Sequence, residues 1–256
     1  MPTWDDAARW YLDGVRGAGR GFNDLAARVT VDLLGGPDGV VGRRVLDLGC
    51  GEGHVARRLA RLGARVVAVE PTGALLDAAR ASERAEPLGI DYRPGAAEDL
   101  GPGGPDVPDA ALDAVCAVLV LHHVADLDAA LAHVHRVLRP GGALVVVLPH
   151  PWTDHDGARW VPGPAGEQRA VGAYVRERYW SSGPTAGGAG PDGAAPLTSV
   201  REIGWYHRTL GTWLTALARA GFALDEAREP AGDDVPGADP RWAQVPRLLA
   251  LRAVRA

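Results

Sequence analysis

The sequence predicts an α/β fold built around a doubly wound, mostly parallel sheet of seven strands, and three observations lead to this prediction. Apolar segments of strand length alternate with amphipathic segments of helix length between residues 44 and 148. Residues 112–121 are almost continuously apolar, which is typical of a central strand covered on both faces. A glycine-rich turn at residues 49–53 joins one of the strands to the helix that follows it.

The order of the elements follows from the spacing of the apolar residues. Two helices are predicted ahead of the first strand, at residues 4–15 and 23–34. The strands that follow are predicted at residues 44–48, 65–70, 90–94, 112–121 and 143–148. The helices between them are predicted at residues 53–62, 73–86 and 127–138. The chain is therefore expected to form a single domain, 1–256, whose first segment, 1–40, is a helical cap.

The alternation breaks after the fifth strand, in residues 150–208, which are rich in Gly, Pro and Trp. A segment this long without regular alternation indicates a functional insertion, so we predict that it is a lid over a substrate site. One helix at residues 167–180 and one strand at residues 197–206 are predicted inside this insertion.

The last part of the chain is predicted to complete the sheet. Thr209 suits the N-cap of a helix that ends at Gly221, because its hydroxyl accepts a hydrogen bond from the first turn and glycine favours a helix stop. Residues 222–226 and 247–254 are predicted to be the last two strands, as an antiparallel pair at the edge of the sheet.

Composition narrows the range of partners and the compartment. The net charge is −5 and no lysine- or arginine-rich block is present, which argues against nucleic acid or an anionic membrane as the main partner. Cys50 and Cys116 are the only cysteines, so we expect no disulfide framework and a reducing, cytoplasmic location. No signal peptide is apparent at the N-terminus, and no apolar run approaches the ~20 residues of a membrane span.

The residues around the glycine turn predict a site for a cofactor that contains a nucleoside. Gly49 and Gly51 let the main chain bend tightly and approach a ligand, and the helix N-terminus beyond them offers free N–H groups. Glu70 ends the next strand about 20 residues beyond the turn, where an acid can accept hydrogen bonds from both ribose hydroxyls. Asp47 lies near the end of the first strand, beside the turn.

These motifs resemble those of the class I S-adenosylmethionine-dependent methyltransferases. The spacing Gly-x-Gly-x-Gly resembles the first motif of that family more than the Gly-x-Gly-x-x-Gly of dinucleotide oxidoreductases. Three further segments carry the resemblance: residues 95–100, 112–124 and 136–142. Residues 204–210, 220–222 and 229–230 are similar to a subset of the family that acts on small molecules. The resemblance implies a Rossmann-like fold and S-adenosyl-L-methionine as the cofactor.

The resemblance also implies which residues contact the cofactor. The set comprises Tyr11, Asp47, Gly49, Cys50, Gly51, Glu70, Pro71, Ala97, Glu98, Val118 and Leu119. In the family, the residue at the position of Asp47 helps to hold the methionyl ammonium group, and the residue at the position of Glu70 binds the ribose. Ala96 stands where many members have an aspartate that meets the adenine amino group, so the Ala97 N–H and the Glu98 carboxylate are expected to serve the adenine instead.

A hydroxyl or carbon acceptor must lose a proton during methyl transfer, and a histidine suits that task near neutral pH. His123 and His150 follow two adjacent strands, at the end of the sheet where the family places the methyl group. His207 lies near the end of the predicted insertion and is the third candidate, whereas His122 is expected to pack away from the site. No spacing of Cys, His and Asp residues indicates a metal site.

Three tryptophans and one arginine are candidates for contact with a substrate. Trp152 and Trp180 lie within the predicted insertion, and Trp205 and Arg208 lie at its end. Several tryptophans around one cavity suit an aromatic or a cationic substrate. The alternative is that they form only the small core of the insertion itself.

The sequence therefore predicts methyl transfer from S-adenosylmethionine to a small molecule in secondary metabolism, with O-methylation favoured over N- or C-methylation, by a monomer or a homodimer. One alternative is a methyltransferase-like protein that binds the cofactor without methyl transfer, as a cyclase or a scaffold. A nicotinamide oxidoreductase is a second alternative, and it requires a third glycine where Val55 or Ala56 stands. A methyltransferase that acts on RNA or protein is a third alternative, but the sequence has no basic stripe that would support nucleic-acid binding.

Overall fold

The computed structural model describes residues 3–16, 20–100, 104–164, 166–182, 199–231 and 239–256. Its helices are α1 (Trp4–Arg16), α2 (Arg20–Leu33), α3 (Gly36–Val40), α4 (His54–Arg61), α5 (Gly73–Ala85), α6 (Leu127–Val137) and α7 (Leu210–Arg219). Its strands are β1 (Arg44–Leu48), β2 (Arg65–Glu70), β3 (Asp91–Pro94), β4 (Leu112–Val118), β5 (Leu138–Pro149), β6 (Arg159–Gly163), β7 (Gly166–Ala170), β8 (Arg178–Trp180), β9 (Trp205–His207), β10 (Phe222–Arg228) and β11 (Leu248–Arg255). Short 3₁₀ turns lie at Ala97–Asp99, Val200–Glu202 and Pro240–Gln244.

Seven of the strands form one sheet in the order β10-β11-β5-β4-β1-β2-β3. Strand β1 is parallel to β2 and to β4, and the pairs β2–β3 and β4–β5 are parallel as well. Among the described strands of this sheet, β11 alone runs in the opposite direction, antiparallel to β5 and to β10. The structure thus confirms the predicted doubly wound, mostly parallel sheet and its antiparallel edge pair.

The sheet separates two apolar layers because alternate residues of each strand point to opposite faces. On one face, Val45 and Val145 pack with residues of α2, α4 and α5. On the other face, Leu46 and Leu144 pack with residues of α6 and α7, where Trp213 is buried. Burial of each large apolar side chain contributes about 1.5–3 kcal/mol. The two layers therefore hold the strands firmly, and the loops at the strand ends start from fixed positions.

The helices and strands predicted around this sheet are confirmed, with small differences at their ends. Strand β4 stops at Val118, earlier than predicted, because Leu119 adopts a left-handed φ of 58° and its N–H donates to the Val147 oxygen at 2.7 Å. Strand β5 begins at Leu138, directly after α6, and is longer than predicted. Helix α3 was not predicted, and it contains Pro37 in its first turn, where proline is well tolerated.

The region between β5 and α7 differs most from the prediction. The helix predicted at residues 167–180 is wrong, because β6 and β7 form an antiparallel hairpin and β8 pairs with β9. Ring contacts across the second pair favour strand over helix, since the Trp180 and Trp205 centroids lie 4.7 Å apart and those of Tyr179 and Tyr206 lie 5.0 Å apart.

The strand predicted at residues 197–206 is confirmed only at its end. Residues 197 and 198 lie outside the described residues, Val200–Glu202 is a 3₁₀ turn, and β9 begins at Trp205. The role of residues 150–208 as a lid stays a prediction, as does the division of the domain into a cap and an insertion. None of the helices in the described ranges combines the length and the hydropathy needed to span a bilayer.

Candidate active site

A cavity of about 710 Å³ lies at the edge of the sheet where β1 to β5 end. Every residue that the sequence assigns to the cofactor lines it: Tyr11, Asp47, Gly49, Cys50, Gly51, Glu70, Pro71, Ala97, Glu98, Val118 and Leu119. We call the part beside the loops after β1, β2 and β3 the glycine-turn half. The part lined by Phe22, Asp154, Arg201, Trp242 and Arg247 is the arginine half. In the strand order, the loop after β4 lies between the two.

The turn after β1 requires glycine at its first position. Gly49 has a left-handed φ of 68°, and its N–H donates to the Val69 oxygen at 2.8 Å. A Cβ atom at this position would lie 2.2 Å from Cγ2 of Val120, so no side chain fits. Gly51 also has a positive φ, of 56°, but no atom lies within 4 Å of its Cβ position. The first glycine therefore allows the turn to approach the loop after β4, and the second serves the bend itself.

Glu70 is buried at the end of β2, and main-chain donors hold both of its carboxylate oxygens. The Gly51 N–H donates to Oε2 and the Thr72 N–H donates to Oε1, each at 2.9 Å. Burial raises the pKa of Glu70, and these hydrogen bonds oppose that shift because they stabilise the carboxylate. Since each carboxylate oxygen can accept two hydrogen bonds, Glu70 keeps acceptor capacity for a ligand such as a diol.

Asp47 is buried in β1, and its Oδ2 atom has no hydrogen-bond partner among the described residues. Burial raises the pKa of Asp47 to about 7, a hydrogen bond from the Ala56 main chain opposes this shift, and the carboxylates of Glu52 and Glu70 add to it. A buried polar atom without a partner is costly. The site is therefore prepared for a cation at this point, such as an ammonium group.

The loop after β3 supplies a third wall of the glycine-turn half. Ala97 begins the turn Ala97–Asp99 and is buried, and its neighbours Ala96 and Glu98 also line the cavity. Because Ala96 has no polar group on its side chain, Glu98 is the residue of this turn whose side chain could hydrogen-bond a ligand in the cavity. The structure therefore brings together the groups that the sequence predicts at an adenine.

His123 lies in the loop after β4 and lines the cavity. Its Nδ1 atom is 3.0 Å from the carbonyl oxygen of Gly204, which can only accept, so Nδ1 carries the proton and Nε2 is unprotonated. Burial lowers the pKa of His123 to about 4, although the hydrogen bond to Gly204 opposes the shift. The ring is therefore neutral near neutral pH, and its Nε2 atom is an acceptor with no hydrogen-bond partner in the ranges that the structure describes.

His122 also lines the cavity, which corrects the expectation that it packs away from the site. The early end of β4 at the left-handed Leu119 changes the course of the loop, so that the rings of His122 and His123 lie only 4.1 Å apart. Burial lowers the pKa of His122, and its Nδ1 atom has no hydrogen-bond partner in the part of the chain that the structure describes.

The other two candidate histidines are not among the residues that line the cavity. His150 is fully buried, its Nε2 atom lies 2.8 Å from Oε1 of Glu229, and its Nδ1 atom accepts a hydrogen bond from the Trp152 N–H. The Nε2 atom of His207 lies 2.7 Å from the main-chain carbonyl oxygen of Tyr174. Both rings are thus engaged in local structure, which corrects their expected position. Within the described ranges, no three His, Cys, Asp or Glu side chains are grouped so as to hold a metal ion.

Of the three tryptophans expected at a substrate, Trp205 lines the cavity and the other two do not. Trp180 packs behind Trp205, and Trp152 is 47% exposed and lies against the His150 ring. The β8–β9 pairing sets Trp180 directly opposite Trp205 on the same face, so the Trp180 ring packs against the Trp205 ring instead of lining the cavity.

Arg208 supports the site from outside the cavity rather than lining it. Its guanidinium group donates to the main-chain oxygens of Val124 at 2.7 Å and Ala125 at 2.9 Å. The same group lies over the rings of Tyr206 and Trp213. Arg208 therefore holds the loop that carries the two cavity histidines, which corrects its expected contact with a substrate.

Sequence reasoning missed the arginine half. Its residues come from α2, from the loop after β5, from two 3₁₀ turns and from the position just ahead of β11: Phe22, Asp154, Arg201, Trp242 and Arg247. No local motif connects positions so far apart in the chain. The one available signal is the predicted edge pair, since the first residue of a strand antiparallel to β5 must lie beside the end of β5.

Known proteins resemble this chain over different lengths. The profile of a family described as a methyltransferase domain matches residues 46–146. A malonyl-[acyl-carrier protein] O-methyltransferase from Serratia marcescens is 31% identical over 225 residues, which cover 82% of this chain and 84% of that protein. A ubiquinone biosynthesis O-methyltransferase from Bradyrhizobium sp. (strain ORS 278) is 38% identical over 105 residues, 41% of this chain, and the match spans only 39% of that relative.

A solved structure supports the same relationship. The crystal structure of an S-adenosylmethionine dependent methyltransferase from Mesorhizobium loti has a TM-score of 0.67 and 27% identity, over 84% of this chain and 92% of that chain. The chain therefore belongs to the class I S-adenosylmethionine-dependent methyltransferases, and its cofactor is S-adenosyl-L-methionine. The residues present fit this cofactor, because the unpaired Asp47 oxygen suits its ammonium group and Glu70 suits its ribose. The nicotinamide alternative is thereby set aside.

Proposed function

We propose that this protein methylates a small-molecule acceptor, with a hydroxyl oxygen as the favoured methylation site. The observation that supports this most directly is the continuity of the cavity, since the glycine-turn half, His123 and the arginine half line one space. Its volume of about 710 Å³ is typical of sites for small molecules. The net charge of −5 agrees with a small acceptor better than with RNA.

Three groups of the glycine-turn half would hold the cofactor: Asp47 the ammonium, Glu70 the ribose and the Ala97 N–H the adenine. S-adenosylmethionine supplies a methyl group on a positively charged sulfur, which is a strong electrophile. The protein's own contribution is to align the acceptor atom and to exclude water, and such alignment is worth up to about 7–11 kcal/mol in favourable cases. The packed ends of β1 and β4 provide the rigid frame for that alignment.

His123 is the residue we propose as proton acceptor for a hydroxyl, through its unprotonated Nε2 atom. Its pKa of about 4 makes it neutral but weakly basic. A weak base removes a proton most readily from an acidic group. A phenolic hydroxyl therefore fits this site better than an aliphatic alcohol does.

The relatives favour oxygen as the accepting atom, because the two reported above are named O-methyltransferases. Nitrogen and carbon acceptors stay alternatives, as does cofactor binding without methyl transfer in a cyclase or a scaffold. The role in secondary metabolism, the cytoplasmic location and the monomeric or homodimeric state stay predictions from the sequence.

The test is an assay of methyl transfer from methyl-labelled S-adenosylmethionine to a panel of phenols, carboxylic acids and amines, with S-adenosylhomocysteine formation as a second readout. We expect label to appear on a phenolic oxygen. Cofactor binding without transfer to any acceptor of the panel would favour the cyclase or scaffold alternative. Transfer to amines alone would replace oxygen by nitrogen in the proposal.

A further inference from the structure

The arginine half contains a cation, Arg247, that forms no ion pair with any anion among the described residues. Arg247 lines the cavity and is partly buried. In the described ranges, no carboxylate forms an ion pair with its guanidinium group and no oxygen accepts a hydrogen bond from it. A partly buried guanidinium without acceptors from the described protein groups keeps its N–H donors for solvent or for a ligand that supplies oxygens.

Two aromatic rings hold this guanidinium group in place. Its central carbon lies 4.6 Å from the centroid of the Phe22 ring and 4.7 Å from the centroid of the Trp242 ring. Contacts of this kind on aromatic faces leave the edge of the guanidinium plane, where its N–H donors lie, available for an anion. Both rings also line the cavity. The arrangement is therefore ordered before any ligand arrives, which lowers the entropic cost of binding.

The charges nearby add to the positive potential. Arg201 lines the cavity and pairs with Asp154 at 2.7 Å, and Arg169 behind them donates to the Thr153 carbonyl oxygen at 3.0 Å. Among the described residues, the Asp154 carboxylate interacts electrostatically with all three guanidinium groups, those of Arg169, Arg201 and Arg247. Burial lowers the pKa of Arg247, Asp154 opposes this shift and Arg201 adds to it. A bound anion would therefore stabilise the charged form of Arg247.

Arg241 does not change this balance. It is paired at the surface with Asp239 and with Glu167, at 2.7 Å from the latter, and it does not line the cavity. Because it also lies over a tryptophan ring, that of Trp160, it is a matched control for Arg247.

The position of Arg247 in the sheet separates it from the cofactor residues. Arg247 directly precedes β11, whose first residue, Leu248, pairs with Pro149 at the end of β5. Since neighbouring strands are spaced by about 4.8 Å, the start of β11 lies, measured across the sheet, about 10 Å from β4 and about 14 Å from β1. The backbone at Arg247 is therefore nearer to β4, whose following loop carries His123, than to β1, which carries Asp47.

We propose that the acceptor molecule carries an anionic group, a carboxylate or a phosphate ester, which Arg247 binds between Phe22 and Trp242 while the methylated atom lies beside His123. This inference rests on the proposed function and specifies the acceptor. The acceptor is then an aromatic molecule with its hydroxyl and its anionic group at opposite ends, about 10 Å apart by the strand spacing. Arg201 adds attraction without leaving Asp154.

The experiment compares 4-hydroxycinnamate with its neutral amide, by calorimetric titration of the whole protein saturated with S-adenosylhomocysteine. We expect the wild-type protein to bind the acid at least about tenfold more tightly, because a charge-assisted hydrogen bond is lost in the amide. Arg247→Met keeps an apolar chain between the two rings and should abolish this preference. Arg241→Met should retain it. Phenyl phosphate and benzoate are titrated in parallel, and the tighter of the two identifies phosphate ester or carboxylate as the preferred group.

Several outcomes would overturn the assignment. These are equal affinity for acid and amide in the wild type, no binding of either at millimolar concentration, or a preference that survives in Arg247→Met. Loss of S-adenosylhomocysteine affinity in Arg247→Met would also overturn it, because the anion would then be the cofactor's own carboxylate. If the acid binds as expected but methyl transfer is absent from the separate activity assay, the proposed function fails while the anion site stands.

Discussion

The two halves of the cavity are built in opposite ways. The glycine-turn half is made by loops after adjacent parallel strands, and its polar groups are main-chain N–H donors and the carboxylates Asp47 and Glu70. The arginine half is made by residues between Phe22 and Arg247 that meet only in three dimensions, and its charged groups are the guanidiniums of Arg201 and Arg247 and the single Asp154 carboxylate that pairs with Arg201. The cavity therefore has an acidic and a basic end. A cationic cofactor and an anionic acceptor can be held apart and oriented by this difference.

The first prediction concerns His123, which lies at the junction between the two halves of the cavity. We expect His123→Gln to lower kcat roughly 10²–10⁴-fold if His123 accepts the proton of a hydroxyl. His150→Gln is the control, because His150 is engaged by Glu229 and does not line the cavity. Steady-state kinetics with a phenolic acceptor measure both variants. Equal loss in the two would contradict a special role for His123.

A second prediction tests the main-chain construction of the glycine-turn half. Gly49→Ala introduces a Cβ atom at 2.2 Å from Val120 in a left-handed conformation, whereas Gly51→Ala introduces only the unfavourable conformation. We expect Gly51→Ala to cost about 1–2 kcal/mol in the free energy of unfolding, and Gly49→Ala to cost roughly 1–3 kcal/mol more. Urea unfolding of the protein without cofactor measures the difference. Similar losses in the two variants would show that Val120 moves away freely.

A third prediction separates the ligands of the two halves. Glu70→Gln should weaken S-adenosylhomocysteine binding at least about tenfold, because the amide cannot accept hydrogen bonds on both of its terminal atoms. The affinity for 4-hydroxycinnamate should change little, since the arginine half is untouched. Calorimetric titration of each ligand checks both statements. A joint loss of the two affinities would mean that the halves are not independent.

A fourth prediction concerns the pH dependence that arises from Asp47. Because burial raises its pKa in the folded protein to about 7, Asp47 binds a proton more tightly when folded than when unfolded. Its contribution to stability is therefore full below the unfolded pKa of 3.8 and is lost as the pH rises toward about 7. Cofactor affinity has the opposite dependence, because only the ionised carboxylate attracts the ammonium group, so it should rise with pH and level off above about 7.

Asp47→Asn is expected to remove both dependences. Unfolding free energies and S-adenosylhomocysteine titrations between about pH 5 and pH 8 measure them, over which the affinity changes by at most about tenfold per pH unit. An unchanged pH profile in the variant would assign the dependence to another group, such as Glu70, whose pKa is also raised by burial.

The halves also differ in how far the sequence predicts them. Gly49, Glu70 and Ala97 belong to elements whose type and order follow from hydrophobic spacing, so their convergence at one sheet edge could be inferred. His122 was misplaced because the left-handed Leu119 that redirects its loop leaves no mark in the pattern of apolar residues. The helix predicted at residues 167–180 is wrong because the strands found there, β7 and β8, depend on pairing with other segments, as where the rings of Trp180 and Trp205 meet.

By itself, the sequence determined the alternating α/β order, the glycine turn and the acid at the end of β2, because periodicity and short backbone motifs act over a few residues. Only the tertiary structure decided which histidines face the cavity and that Arg247 lies between Phe22 and Trp242. The physical reason is that side-chain contacts between distant segments depend on packing and loop course, which no local spacing encodes.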